Sequence, residues 1–564
     1  MDVADLLIRT EPDWKLRVPQ PLAGAKLPET ILGDEEGAVE WDDGKTSSRT
    51  FVRMDTYDDL KNPRALFLFG RRGTGKTTYL RMLDHEIREG HVTPYSISCV
   101  LESQPLLLGM SAQVRSSPLA GLADAELAEA LIPIWTWVIT VAAMQAAVEE
   151  PPRAFEPIEV KHLRGFLSEL LGPNSERASY PRLCDRMHEL LSLALGHGQW
   201  TSNAGEVLTN INQVFADHRF QRATEILAQR LARHPCLVML DAGDVYSVMD
   251  PVPSAAVTAL IAAVAKLAAH PHRQAIFAKA AFPSEILPHI YTFNRGKMQN
   301  HIVVISWTYR DLVTLLAKRF ALLVGKSNGD DGDLDDLAKA HELIYATLPP
   351  VVKTRVEISF DTLAYIIRHT QRTPRQVVML VNSVLTHAKS DGWRVGMRVD
   401  GERIIAHGVH LYLGHLVNDA IDMHRSIYQR LDEIVQGTLA RRPCYFRAGQ
   451  LGKFVKEVST LRHSLGFGQE DVTRILFEVG VLGIAHEMHP LSQDGAPRYI
   501  LEALYEYQVK QTLTPSPDSF CVVHPMFYEW LGTKVDLGKF VYPLAFEDAE
   551  KEVLNRYGIR MAAS

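Results

Sequence analysis

The sequence specifies an α/β fold built around a parallel β-sheet, and three features carry that expectation. Residues Ala65–Phe69 are an apolar run that enters a glycine-rich loop, and a helical pattern starts at once behind it. A second apolar run, His234–Leu240, ends in the carboxylate of Asp241. Short β-branched and aromatic runs then alternate with long amphipathic segments, the rhythm of strands joined by crossover helices.

The loop reads Gly70-Arg71-Arg72-Gly73-Thr74-Gly75-Lys76-Thr77-Thr78 and satisfies the G-x-x-x-x-G-K-[ST] pattern with a strand before it and a helix after it. Glycines let such a loop turn its N–H groups inward around phosphate oxygens. The following helix points its positive end at the same place. Lys76 is expected to reach the β- and γ-phosphates and the Thr77 hydroxyl to ligate Mg²⁺. Strand ends in open α/β sheets converge on the ligand crevice, so Asp241 is expected to hold the hydration shell of the metal. Asp244, three residues on, is the nearby candidate for orienting or deprotonating an attacking water. Ala242 occupies the position directly after Asp241, so binding of a nucleoside triphosphate is better supported than rapid hydrolysis. The cofactors implied are ATP and Mg²⁺; no N-K-x-D guanine reader accompanies the loop.

Further elements follow from pattern. Thr93–Leu101, Gln274–Phe282 and His301–Trp307 read as additional core strands, and Thr308–Leu323 as an amphipathic helix. The long separation of Lys76 from Asp241 calls for a helical insertion over about 102–229. Leu127–Val148 is apolar enough to suggest a membrane span, but Glu129, Pro133 and Gln145 interrupt it, so a buried core helix is expected. Residues 1–50 read as an N-terminal arm, 51–323 as the core, 324–430 as a helical lid and 431–564 as a C-terminal domain. The acidic stretch Gly325–Asp336 lacks the ligand spacing of a calcium loop and reads as a solvated linker.

Composition narrows the class. The chain has 564 residues, 46% of them apolar and 23% charged, with a formal net charge of −7, so nothing global draws it to nucleic acid or anionic membrane. The five cysteines show no C-x-x-C spacing, which argues against a zinc site or disulfide framework. The N-terminus lacks a signal-peptide pattern, and a cytoplasmic location without membrane attachment is expected.

Taken in order, the phosphate loop, the strand ending Leu240-Asp241-Ala242-Gly243-Asp244, the segment Ile305–Arg319 and Arg372-Thr373-Pro374-Arg375-Gln376 resemble a bacterial P-loop ATPase of the STAND/AAA+ kind, related to origin-recognition and signalling NTPases. The resemblance covers about residues 51–390. It implies that Lys279, at the tip of the fourth strand, senses the γ-phosphate, and that Arg375 reaches the nucleotide from the lid. It also implies a regulatory switch in bacterial signalling or phage defence, with a protein partner or effector and homo-oligomers in view. Arg295 and Arg310 are the candidates for an arginine finger. The pattern after residue 438 resembles a winged-helix module, with helices opening near Gln450 and Gln469 and strands at Arg498–Leu501 and Cys521–His524. Its helix carries Arg474 against Glu470, Asp471 and Glu478, a poor match to a phosphate backbone, so a protein contact is favoured over DNA. The competing classes are an initiator-like DNA-handling ATPase and a small-acceptor kinase.

Overall fold

In the computed structural model the described residues are 31–33, 49–149, 157–172, 180–196, 204–242, 250–269, 276–289, 299–325, 334–353, 359–399, 402–425, 427–464, 466–491, 498–508, 512–536 and 539–543. The first sheet has the order β2-β3-β4-β1-β5, with β1 Phe67–Gly70, β2 Ile97–Glu102, β3 Cys236–Asp241, β4 Ile276–Pro283 and β5 Ile302–Val304. All of its pairings are parallel. Parallel strands covered on both faces read as continuous apolar runs, and β1 and most of β3 are buried accordingly.

Helix α1 (Asp55–Lys61) precedes β1, and α2 (Lys76–Arg88) leaves the phosphate loop. The insertion between β2 and β3 consists of α3 (Gln104–Arg115), α4 (Asp124–Val148), α5 (Ile158–Leu171), α6 (Tyr180–Ala194), α7 (Ala204–Phe215) and α8 (His218–Leu231). Helix α9 (Pro251–Ala269) follows β3 and packs on α4, where the Trp135 indole N–H donates to the Ala256 carbonyl at 3.0 Å. By length and composition α4 and α9 are both long enough to cross a membrane. Their apolar windows are 89% and 67% buried inside the protein, which gives that apolarity a packing role.

Helix α10 (Tyr309–Leu323) starts at a capping box, in which the Thr308 hydroxyl and the Asp311 carboxylate satisfy each other's backbone N–H groups. Asp336, the last residue of the acidic stretch, caps α11 (Leu337–Tyr345). The lid region then contains a short antiparallel pair, β6 (Val351–Lys353) with β7 (Ser359–Asp361), and three helices: α12 (Thr362–Arg368), α13 (Pro374–Ser390) and α14 (Glu402–Arg425). Helices α13 and α14 cross closely because Gly408 has no side chain; a Cβ there would lie 2.6 Å from Val384 Cα. From the N-terminal arm, residues 31–33 are held by this region and α10. Leu32 N–H donates to Asn382 Oδ1 at 2.8 Å, and Arg319 donates to the Leu32 carbonyl at 2.8 Å.

The C-terminal part is α15 (Leu431–Leu439), β8 (Tyr445–Arg447), α16 (Ala448–Glu457), α17 (Ser459–Ser464), α18 (Gln469–Glu478), β9 (Leu482–Leu491), β10 (Arg498–Leu504), β11 (Phe520–Val523), α19 (Tyr528–Leu531) and β12 (Lys539–Pro543). Its strands form a second sheet of order β12-β10-β9-β11-β8. This sheet docks on the lid. Arg368 lies over the Phe540 ring at 3.6 Å and donates to the Val541 carbonyl, and Arg372 donates to the Pro543 carbonyl.

Candidate functional site

The phosphate loop leaves β1 at Gly70 and becomes helix at Lys76. Gly73 (φ +79°) and Gly75 (φ +90°) occupy left-handed backbone, where any side chain is strained. Thr74 ties the turn by donating both its backbone N–H (3.1 Å) and its hydroxyl (2.7 Å) to the Arg71 carbonyl. The Lys76 ammonium is buried and folded back on the loop, donating to the carbonyls of Gly70 (2.9 Å) and Arg71 (3.2 Å). Among the described residues this ammonium is held by two neutral carbonyls, which it can exchange for a phosphate oxygen, a stronger charge-assisted partner.

The Thr77 hydroxyl donates to Asp241 Oδ2 at 2.5 Å. Two oxygen donors from opposite sides of the crevice thus meet at the mouth of the loop, a pair suited to a hard cation such as Mg²⁺ that keeps much of its water shell. Asp241 is anchored from behind, because Ser103 donates its backbone N–H and its hydroxyl to the Asp241 carbonyl, each at 2.8 Å. In register with Asp241, at the tip of β2, stands Glu102, a carboxylate that the sequence reading did not single out. It is exposed and ion-paired with Arg81 at 3.4 Å. Asp244 and Arg295 lie outside the described residues. Thr78 lies in the first turn of α2, and Arg310 is exposed at the start of α10.

Lys279 does not occupy the strand tip. Strand β4 continues four residues beyond it, to Pro283 beside Gly70, while Lys279 is level with Met239 and precedes the start of β1 in register. Its ammonium points to the other end of the sheet, donating to the carbonyls of Asn62 (2.8 Å) and Ala65. Burial pushes its pKa down to about 7. The sensing role assigned to Lys279 is therefore corrected: its reach is spent at the edge away from the phosphate loop. The side chain past the tip of β4 is Glu285, which accepts from the Arg72 N–H (3.4 Å) and pairs with Arg71 (3.5 Å). The expected strand already runs to Phe282, so looking past that end rather than back to Lys279 is the signal that would have found it.

Arg375 does reach the loop. Its backbone N–H donates to the Gly73 carbonyl at 3.3 Å, and a Cβ on Gly73 would lie 2.7 Å from Arg375 Cβ. The local cause is helix capping: Thr373 accepts from Gln376 N–H and Pro374 opens the first turn of α13, so the N-terminus of the lid helix abuts the loop. The Arg375 guanidinium pairs with Asp419 of α14 at 3.9 Å. Burial pushes the Asp419 carboxyl upward, and Arg375 and then Arg72 oppose that shift. Two further contacts were not foreseen. The Trp307 indole donates to the Thr74 carbonyl at 2.9 Å, and the Arg71 guanidinium lies 5.3 Å from the ring centre of Tyr507, a residue of the C-terminal part.

With this geometry in place, comparison with known families is informative: a family model described as ORC-CDC6-like matches residues 39–91, the segment containing β1, the phosphate loop and α2. No curated protein matches the chain. The match supports an AAA+/P-loop ATPase-like family, and the five-stranded parallel sheet is compatible with a P-loop NTPase fold.

Proposed function

We propose that the chain is an ATP-binding, Mg²⁺-dependent regulatory ATPase whose nucleotide state sets the arrangement of lid and C-terminal domain. One observation carries this reading: the phosphate loop is touched at once by the core, the lid and the C-terminal part. Arg71 is shared between Glu285 and the Tyr507 ring, and Gly73 is capped by the start of α13. A polyphosphate entering the loop must compete for Arg71 and Lys76, so its binding energy is available to shift the domains that hold them. In this reading Gly70 to Thr78 cradle the phosphates, Thr77 and Asp241 hold the metal, Arg375 joins them from the lid, and Asp244 orients water. The test is limited proteolysis with and without Mg-ATP. Nucleotide should change the cleavage pattern between lid and C-terminal domain in the parent protein and leave Lys76→Ala unchanged; an identical pattern in the parent with and without ATP overturns the switch.

The ORC-CDC6-like match favours a second reading, a DNA-handling ATPase with a winged-helix module. The order helix, strand, three helices, then a strand pair from α15 to β10 supports a winged-helix arrangement. Against DNA contact through α18, Arg474 is engaged by Glu478 and Glu506, and Glu470 and Asp471 lie in its first turn. We therefore propose that this module meets a protein partner. Anisotropy with labelled duplex DNA at physiological salt, with and without ATP, separates the two; ATP-dependent retention would favour the DNA reading.

A further inference from the structure

Strands β9 and β10 of the second sheet bring two carboxylates and an imidazole together where their pairing slips. Leu501 pairs with Met488 and Ala503 with Ala485, so the single residue Glu502 of β10 opposes both His486 and Glu487 of β9. A bulge of this kind re-aims side chains. Glu487 lies two residues from His489 on β9, and Glu502 lies two residues from Ile500, the partner of His489, on β10. The strand period of two therefore puts all three groups on one face. His489 Nε2 stands 3.4 Å from Glu502 Oε2 and 3.6 Å from Glu487 Oε2, and the three ligand atoms all lie within 4.8 Å of one another. Their burial is unequal. The Glu502 and His489 side chains are 1% and 6% exposed, whereas that of Glu487 is 57% exposed and opens the group to solvent.

A hydrogen bond alone explains this spacing poorly. Nε2 can donate one proton at most, yet it faces two carboxylates. Charge-assisted N–H···O bonds run about 2.7–2.9 Å, shorter than either distance. Burial pushes the His489 pKa down; Glu487 opposes that shift and His486 reinforces it, so the site favours the neutral, metal-binding imidazole. A shared cation fits the distances better. Zinc holds nitrogen and oxygen ligands at roughly 2.0–2.1 Å, and the corners of a tetrahedron of that radius stand about 3.3–3.4 Å apart. Neighbouring corners of a Mg²⁺ octahedron would stand only about 2.9 Å apart, and Mg²⁺ and Ca²⁺ both favour oxygen over imidazole. We propose that Glu487, His489 and Glu502 form a Zn²⁺ site, with water completing the coordination from the exposed Glu487 side. The ion cross-links β9 to β10. Glu502 is in register with Tyr542 of β12, whose hydroxyl donates to the Ala364 carbonyl of α12 at 3.4 Å, so the cross-link braces the part of the sheet that docks on the lid.

The experiment titrates the full chain, stripped of metal and free of nucleotide, with Zn²⁺ against a chromophoric chelator in excess Mg²⁺. It is repeated for Glu487→Gln, His489→Asn and Asp241→Ala, with melting curves for each protein. The parent should hold one equivalent of Zn²⁺ that Mg²⁺ does not displace, and should melt at a higher temperature with it. Glu487→Gln changes an exposed side chain, so it should melt like the metal-free parent and lose at least about tenfold in Zn²⁺ affinity, since even outer-shell changes cost that much. His489→Asn should lose more. Asp241→Ala alters the phosphate-loop crevice and should keep the equivalent, which separates this site from that one. A parent that retains no Zn²⁺ in excess Mg²⁺ overturns the proposal. Parental Zn²⁺ affinity in both Glu487→Gln and His489→Asn also overturns it and moves the ion elsewhere, for example to Cys184 and His188, whose sulfur and ring nitrogens lie 3.9–4.0 Å apart. Loss of the equivalent in Asp241→Ala overturns it as well. If metal-free His489→Asn melts early, Glu487→Gln alone decides.

Discussion

The hydroxyl of Thr77 and the carboxylate of Asp241 meet at 2.5 Å across the crevice, although one lies in the first turn of α2 and the other at the end of β3, 164 residues apart. Both are hard oxygen donors, so a Mg²⁺ arriving with nucleotide would replace the hydrogen bond with two metal contacts, direct or through water. Asp241→Ala is expected to abolish Mg²⁺-dependent ATP hydrolysis while leaving measurable nucleotide binding, because the loop's N–H groups are untouched. Phosphate release and equilibrium binding, measured side by side, check this. Full hydrolysis in the variant would remove Asp241 from the metal site.

Lys76→Ala removes the only ammonium seated on the loop carbonyls among the described residues. ATP affinity should fall by at least about tenfold, the scale of one charge-assisted hydrogen bond. Circular dichroism should show the fold intact. Retained parental affinity by calorimetry would contradict the phosphate-binding assignment.

How much of this was legible in the sequence depends on where the signal resides. The loop, Asp241 and the start of α13 are short-range patterns, and each lies where its local chemistry places it. Glycine, Pro374 and Thr373 act on their own backbone. Lys279 was misplaced although the expected strand already runs to Phe282: the one charged residue of an otherwise apolar run reads as its tip, and Glu285, just past the true end, goes unnoticed. The contacts of Trp307 with Thr74 and of Arg71 with Tyr507 join segments hundreds of residues apart. No local pattern encodes such pairs; they appear only once both sheets are docked. The small pair β6–β7 and strand β12 were missed for a related reason, since they are too short to show alternation.

Gly73→Ala combines two penalties, a left-handed φ of +79° and a Cβ 2.7 Å from Arg375 Cβ. A loss of about 1–3 kcal/mol is expected from the backbone alone. Because the clash is with the lid helix, the variant should also lose ATP affinity. Urea unfolding and nucleotide titration measure the two effects separately. Parental stability would show that the loop adopts another backbone.

Arg375→Ala tests whether the lid reads the nucleotide. Without ATP the guanidinium faces Asp419 at 3.9 Å and both side chains are mostly buried, so Arg375→Ala should lower the melting temperature by leaving that carboxylate without its cation. The stabilisation added by Mg-ATP should shrink, since a ligand stabilises in proportion to its affinity for the folded state. Asp419→Asn should do the opposite by releasing Arg375 toward the phosphates. An ATP-induced shift equal in the parent and Arg375→Ala would remove Arg375 from the site.

Lys279 leaves a signature in the pH dependence of stability. Its amine titrates near 10.5 in the unfolded chain, and burial lowers that to about 7 in the fold. Between those values the unfolded chain holds a proton that the folded chain has released. Stability must therefore rise with pH across this window, by the linkage of proton binding to folding. A neutral amine also suits the site, because its two N–H groups match the two carbonyls of Asn62 and Ala65. Lys279→Met removes the titration and strands both carbonyls. The variant should be clearly less stable than the parent near pH 10, and the gap should narrow toward pH 6, where the parent carries a buried charge. Urea unfolding at several pH values provides the comparison, and parallel profiles would show that Lys279 stays charged in the fold.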